Sequence, residues 1–133
     1  MGNRQIINVS RSDLAHVLRQ RGELDEPLAI YKEVVLGWKE FGHRAAVAHE
    51  LECMAYIFWR LGQALRTANL LGAAEALRQA IDSSMTGMER DEYEREVSAL
   101  RAQLDVSTFT KAWAQGRAMT MDEAIALAID DHA

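Results

Sequence analysis

A chain of 133 residues with a formal charge of −5 fits one domain and can bury roughly 65 to 70% of its unfolded surface, so no disulfide or metal is needed to hold a core. Its residues are 49% hydrophobic and 26% charged, and one proline with a surplus of Ala, Leu, Glu and Arg favours helix over strand. The acidic balance, with no Lys/Arg cluster, excludes unaided binding to nucleic acid, because phosphate contacts need a basic stripe.

The first helix is expected to start near Ser10 or Ser12, either able to act as N-cap, and to run to Arg21, where Gly22 stops it. Its partner opens at Asp25, tolerates Pro27 in the first turn, and sets Leu28, Tyr31, Val34, Val35, Trp38 and Phe41 on one face. After Gly42-His43-Arg44, a third helix to about Leu61 carries Val47, Leu51, Met54, Ala55 and Phe58 at the same spacing. Apolar residues off that stripe, Ile57 and Trp59, place this helix between neighbours on both sides. A fourth helix, roughly Ala64 to Ile81, turns Thr67, Leu70, Leu71, Ala74, Leu77 and Ile81 inward.

The segment 83–88 reads as a loop, and Thr86 with Glu89 forms a capping box for helix five. Tyr93, Val97, Leu100 and Leu104 make the inner stripe of that helix, and the charges from Glu89 to Glu96 are expected on a solvated outer face. A short helix beyond Asp105 carries Phe109, Ala112 and Trp113 and ends near Gly116. Thr120 and Glu123 cap a last helix whose apolar face is Met121, Ala124, Ile125, Ala128 and Ile129. No Pro/Gly/Ser-rich linker divides these seven helices, so one all-α domain over 1–133 is expected.

Two stretches 40 residues apart share a helix, glycine turn, helix pattern: LAHVLRQRGELDEPLAIY from Leu14 to Tyr31 and MAYIFWRLGQALRTANLL from Met54 to Leu71. Self-similarity at this period marks a solenoid of stacked helix pairs. The repeat units are about 10–41 and 44–82, with helices over about 89–131 as a C-terminal cap. Apolar residues eight and four before the glycine, and an aromatic or Leu nine after it, resemble the tetratricopeptide repeat. The period is 40 rather than 34, and Pro27 and Thr67 stand where a small residue is usual. The tail, with LLGAAEALRQAI, ERDEYEREVSALRAQL and FTKAWAQGRAMTMDEAIALAI, resembles the C-terminal repeat region of bacterial signal-transducing ATPase and LuxR-associated transcriptional regulators. No Gly-rich GKS or GKT phosphate loop occurs, so the chain is expected to be the sensing or docking segment alone.

Residues with catalytic potential are few. His49 and Cys53, four apart, can face one ion, but zinc needs at least a third protein ligand. His16, His43 and His132 have no ligand spacing to the pair, although His16 can approach from the neighbouring helix. The expectation is polar side chains beside a buried, reduced thiol, with no metal and no cofactor. No nucleophile elbow or dinucleotide fingerprint occurs, and acid pairs such as Glu92 and Glu96 are routine on helix surfaces, so the chain is expected not to be an enzyme. Trp38 and Trp113 belong to inner stripes; Trp59 points toward the next repeat or into the groove.

In tetratricopeptide arrays the first helix of each pair lines the concave surface. The resemblance therefore assigns Ser12, His16, Arg19 and Gln20 from one unit and Glu52, Tyr56, Trp59 and Arg60 from the other, with His49 one turn earlier. Two arginines, two histidines and two aromatics suit a peptide carboxylate or acidic side chain on a protein partner. Ile6, Ile7 and Val9 expose apolar surface ahead of the first unit, which a homodimer would cover. Binding of a small-molecule inducer is the alternative. With one cysteine, no signal-peptide run and no membrane span, a cytoplasmic location is expected.

Overall fold

The computed structural model describes residues 2–131; His132 lies outside them. Seven helices and no strand are present among the described residues: α1 (Gly2–Gln20), α2 (Asp25–Phe41), α3 (Arg44–Arg60), α4 (Ala64–Ala80), α5 (Gly87–Gln103), α6 (Val106–Arg117) and α7 (Met121–Ile129). Helices α1 to α4 pack in chain order, α1 on α2, α2 on α3 and α3 on α4. The repeated glycines explain the sharp turns between paired helices. Gly22 and Gly62 sit at φ 89° and 81°, a left-handed conformation that costs a residue with a Cβ about 1–2 kcal/mol. Each closes a Schellman motif, with Glu23 N donating to Leu18 O at 3.1 Å and Gln63 N to Phe58 O at 2.9 Å.

The core is centred on α3, as its two-sided apolar pattern requires. Val47, Leu51, Met54, Ala55 and Ile57 are fully buried there, against Tyr31, Val34 and Val35 of α2 and Leu70, Leu71 and Ala74 of α4. Trp38 is buried and Trp113 half-buried, its indole N–H donating to Glu75 at 3.1 Å. Both capping boxes form, Thr86 with Glu89 and Thr120 with Glu123.

Helix α1 starts eight to ten residues earlier than the N-cap signals indicate. No breaker precedes Ser10, and the extra turns gain partners on α2: Arg4 pairs with Glu40 at 2.6 Å, and Asn8 lies over Gly37. Ile6, Ile7 and Val9 are thus helical, and they are exposed. Leu14 and Val17 are exposed too, so α1 carries an uncovered apolar stripe of Ile6, Ile7, Leu14 and Val17.

The tail departs from a regular continuation of the stack. It is α6, not α5, that packs along α4. Two glycines permit the approach: a Cβ at Gly116 would meet Asn69 O at 1.9 Å, and one at Gly72 would meet Trp113 O at 2.3 Å. Helix α7 folds back onto α2, α3 and α4, where the buried Arg66 guanidinium donates to Leu127 O and Asp130 O, both at 2.6 Å. These bonds satisfy carbonyls that the C-terminus of α7 would otherwise leave open. Among the described residues no helix is long and apolar enough to cross a membrane.

Candidate functional site

Helix α5 packs on the core through Tyr93, Val97, Leu100 and Leu104, and beside that stripe an acidic ridge faces α1, α3 and α4. Glu92 receives Arg19 Nη1 at 2.7 Å and Nη2 at 3.2 Å, and Glu96 receives Arg60 Nη1 at 2.8 Å and Nη2 at 2.6 Å. Glu89 lies 3.1 Å from His49 Nδ1 and 4.0 Å from Arg78. Glu96 is buried, and Glu89 and Glu92 are half-buried. The expectation of a solvated outer face for these acids is therefore wrong. The three carboxylates recur at i, i+3 and i+7, which puts them on one face beside the apolar stripe of Tyr93, Val97 and Leu100 rather than opposite it.

The electrostatics follow from these contacts. Burial works to raise Glu92, but the hydrogen bonds and charge of Arg19 prevail and hold it below the ordinary carboxylate value. Arg19 is likewise raised, against its own burial, by Glu92. Its guanidinium also lies 5.4 Å from the ring centroid of the buried Tyr56, and its Nε donates to the Tyr31 hydroxyl at 3.2 Å. Beneath this layer Glu52 is buried in a two-pronged pair with Arg78 at 2.7 and 2.9 Å. Burial also pushes up the Tyr93 hydroxyl, to about 12.

An open groove of about 630 Å³ remains between α1 and α5, lined by Asp13, His16, Arg19, Gln20 and His49 together with Met88, Glu89, Glu92 and Arg95. An adjoining pocket of about 290 Å³ is lined by Arg19, Gln20, Tyr56 and Arg60. Of the residues assigned from the tetratricopeptide pattern, six therefore line this face. Ser12 is buried with Oγ 3.4 Å from His16 Nε2, Glu52 lies under the groove in its pair with Arg78, and Trp59 packs half-buried against the hydrophobic core. Sequence reasoning missed the acids of α5, Arg78, and the role of Tyr31, whose hydroxyl lies 2.6 Å from His16 Nδ1.

Helix α1 brings His16 up to the His49/Cys53 pair. His16 Nε2 lies 3.2 Å from His49 Nε2, and Cys53 Sγ lies 3.8 Å from His49 Nε2 and 3.8 Å from His16 Nδ1. Cys53 is 1% exposed and its thiol is pushed up by burial, with His16 and Arg19 pulling the other way. A neutral thiol at that depth is a poor nucleophile.

Among the described residues, an all-helical, strand-free fold with a polar groove between α1 and α5 is the class these observations define. The chain is 37% identical over 78 residues to proteins named as candidate HTH-type transcriptional regulators of Mycobacterium bovis and Mycobacterium tuberculosis. The match takes in 59% of this chain but only 9% of each relative, so the chain is similar to a short part of those proteins. No family model matches, and no solved structure matches.

Proposed function

We propose that the chain is a non-enzymatic docking module of a bacterial transcription-regulatory system, which captures an acidic helical segment of a protein partner on the face formed by α1 and α3. One observation carries this reading: that face already holds an acidic helix of the same chain, with Arg19 and Arg60 each gripping a carboxylate through two hydrogen bonds. Two-pronged Arg–carboxylate pairs confer geometric specificity as well as energy. The likeness to regulators supports the setting. A partner would meet the open part of the groove at His16, Gln20 and His49, and would reach the two arginines by displacing α5.

The test uses a labelled peptide of residues 87–103, the α5 sequence, titrated by fluorescence anisotropy into the chain carrying Glu92→Ala and Glu96→Ala. Saturable binding, lost when Arg19→Ala and Arg60→Ala are added, supports the reading. Absence of binding, or binding unaffected by loss of both arginines, overturns it. The alternative of inducer sensing rests on the 290 Å³ pocket beside Tyr56 and Arg60, at the lower limit for a small-molecule site. Self-association through the exposed α1 stripe is a separate, compatible mode.

A further inference from the structure

The floor of the groove brings together side chains whose chemistry goes beyond helix capture. His16 of α1 and His49 and Cys53 of α3 each bring one ligand atom within 4.8 Å of the others. Bonds of about 2.0 Å to imidazole and about 2.3 Å to thiolate, at the tetrahedral angle, set ligand atoms about 3.3 Å (N to N) and about 3.6 Å (N to S) apart around one zinc ion. The observed 3.2 Å between the two Nε2 atoms and 3.8 Å from His49 Nε2 to Cys53 Sγ match two sides of that triangle, and the third, from the His16 ring to Cys53 Sγ, lies within 4.8 Å.

We propose that His16 Nε2, His49 Nε2 and Cys53 Sγ form a zinc site, with the fourth position open to the groove. Two imidazoles and a thiolate are a borderline-soft set that suits zinc and not magnesium or calcium. A metal-bound histidine needs a partner for its second ring nitrogen. His16 Nδ1 has the Tyr31 hydroxyl at 2.6 Å, and the Glu89 carboxylate stands 3.1 Å from His49 Nδ1 as an ion-pair neighbour, without a hydrogen bond to it. On binding, the Cys53 S–H proton passes to solvent and the sulfur lone pair goes to zinc; nothing is oxidised or reduced. Arg19 Nη2, 3.8 Å from the sulfur, is an unfavourable neighbour for a dication. Its charge is matched by Glu92, and Glu89 adds negative charge beside His49. The two histidines are half-buried and line the groove, which supplies an entry path.

The site stands independently of helix capture. The untagged full chain is dialysed against chelator and titrated with Co²⁺ as a spectroscopic probe, then with Zn²⁺. One equivalent of Co²⁺, with a thiolate-to-cobalt charge-transfer band and the visible bands of tetrahedral cobalt displaced by Zn²⁺, is expected. Cys53→Ala should abolish the charge-transfer band, and His16→Gln or His49→Gln should lower affinity at least tenfold, with circular dichroism confirming that each variant is folded. Tyr31→Phe should weaken binding about 10- to 100-fold, as loss of a supporting partner does. No stoichiometric metal on the folded wild-type chain, or a charge-transfer band undiminished in both histidine variants, overturns the proposal. Since His49→Gln is a partly exposed change, it keeps the test decisive if Cys53→Ala fails to fold.

Discussion

Replacing Glu92 by Ala should release α5 from the groove while leaving the remaining fold in place. In the pair with Glu92, the Arg19 side chain is 10% exposed and the carboxylate 22% exposed, so the two are only partly screened by water. A hydrogen bond to a charged group contributes about 1.5–3 kcal/mol, and the variant also leaves Arg19 underpaired beside Tyr31 and Cys53. A loss of about 2–3 kcal/mol corresponds to a 30- to 150-fold rise in the population with α5 undocked. A 17-residue helix is marginal by itself, so undocked α5 exchanges its amide protons rapidly. Hydrogen exchange read by mass spectrometry should show that loss of protection across 87–103, with 47–58 and 67–74 unchanged. Uniform loss through the core, or unchanged exchange in α5, would refute the claim that the Arg19–Glu92 pair clamps this helix.

Acid should do the same as the substitution. Because Glu92 titrates below its unfolded value of about 4.3, its contribution is complete above that value and is lost as pH falls through the lower folded one; Glu92→Gln should flatten that part of the pH dependence of α5 exchange. Gly116→Ala drives a Cβ to 1.9 Å from Asn69 O and should cost about 3 kcal/mol by overpacking, a fall in Tm of about 10 °C. Gly62→Ala, which meets nothing within 4 Å and suffers only its φ of 81°, should cost about 1–2 kcal/mol; equal Tm values for the two would contradict the close-crossing account of α4 and α6. If the α1 stripe pairs two chains, Leu14→Glu with Val17→Glu should shift sedimentation from dimer to monomer without loss of helicity; a wild-type monomer at micromolar concentration would remove the reason for the variant.

What the sequence made legible was whatever a single helix records by itself. The two-sided apolar pattern of α3, the capping boxes at Thr86 and Thr120, and the glycine turns are local signals, and each has its counterpart in the fold. The start of α1 was not legible, because Ser10 and Ser12 are good caps but Arg4 finds an ion-pair partner on α2 that local propensity does not register. The three acids of α5 were misread because a charge run is usually solvent-facing. Their spacing beside the apolar stripe was the available sign that they turn inward. His49 and Cys53 share a helix face by spacing alone, whereas His16 joins them only through the register of α1 against α3, 33 residues away. Such inter-helix register depends on packing, for which a single sequence carries no periodic signal.

Under the proposed function the α1/α3 face recognises an acidic helix, and α5 competes for it. A site occupied in most molecules by its own helix binds an external copy more weakly by the fraction of chains in which it is free. Anisotropy titrations of the 87–103 peptide into the wild-type chain and into the Glu92→Ala, Glu96→Ala chain, run in parallel, measure that ratio. Binding at least 30-fold tighter to the variant is the predicted result, because loss of the Glu92 pair alone is expected to raise the undocked population of α5 by that factor. Equal affinities, or tighter binding to the wild-type chain, would contradict it.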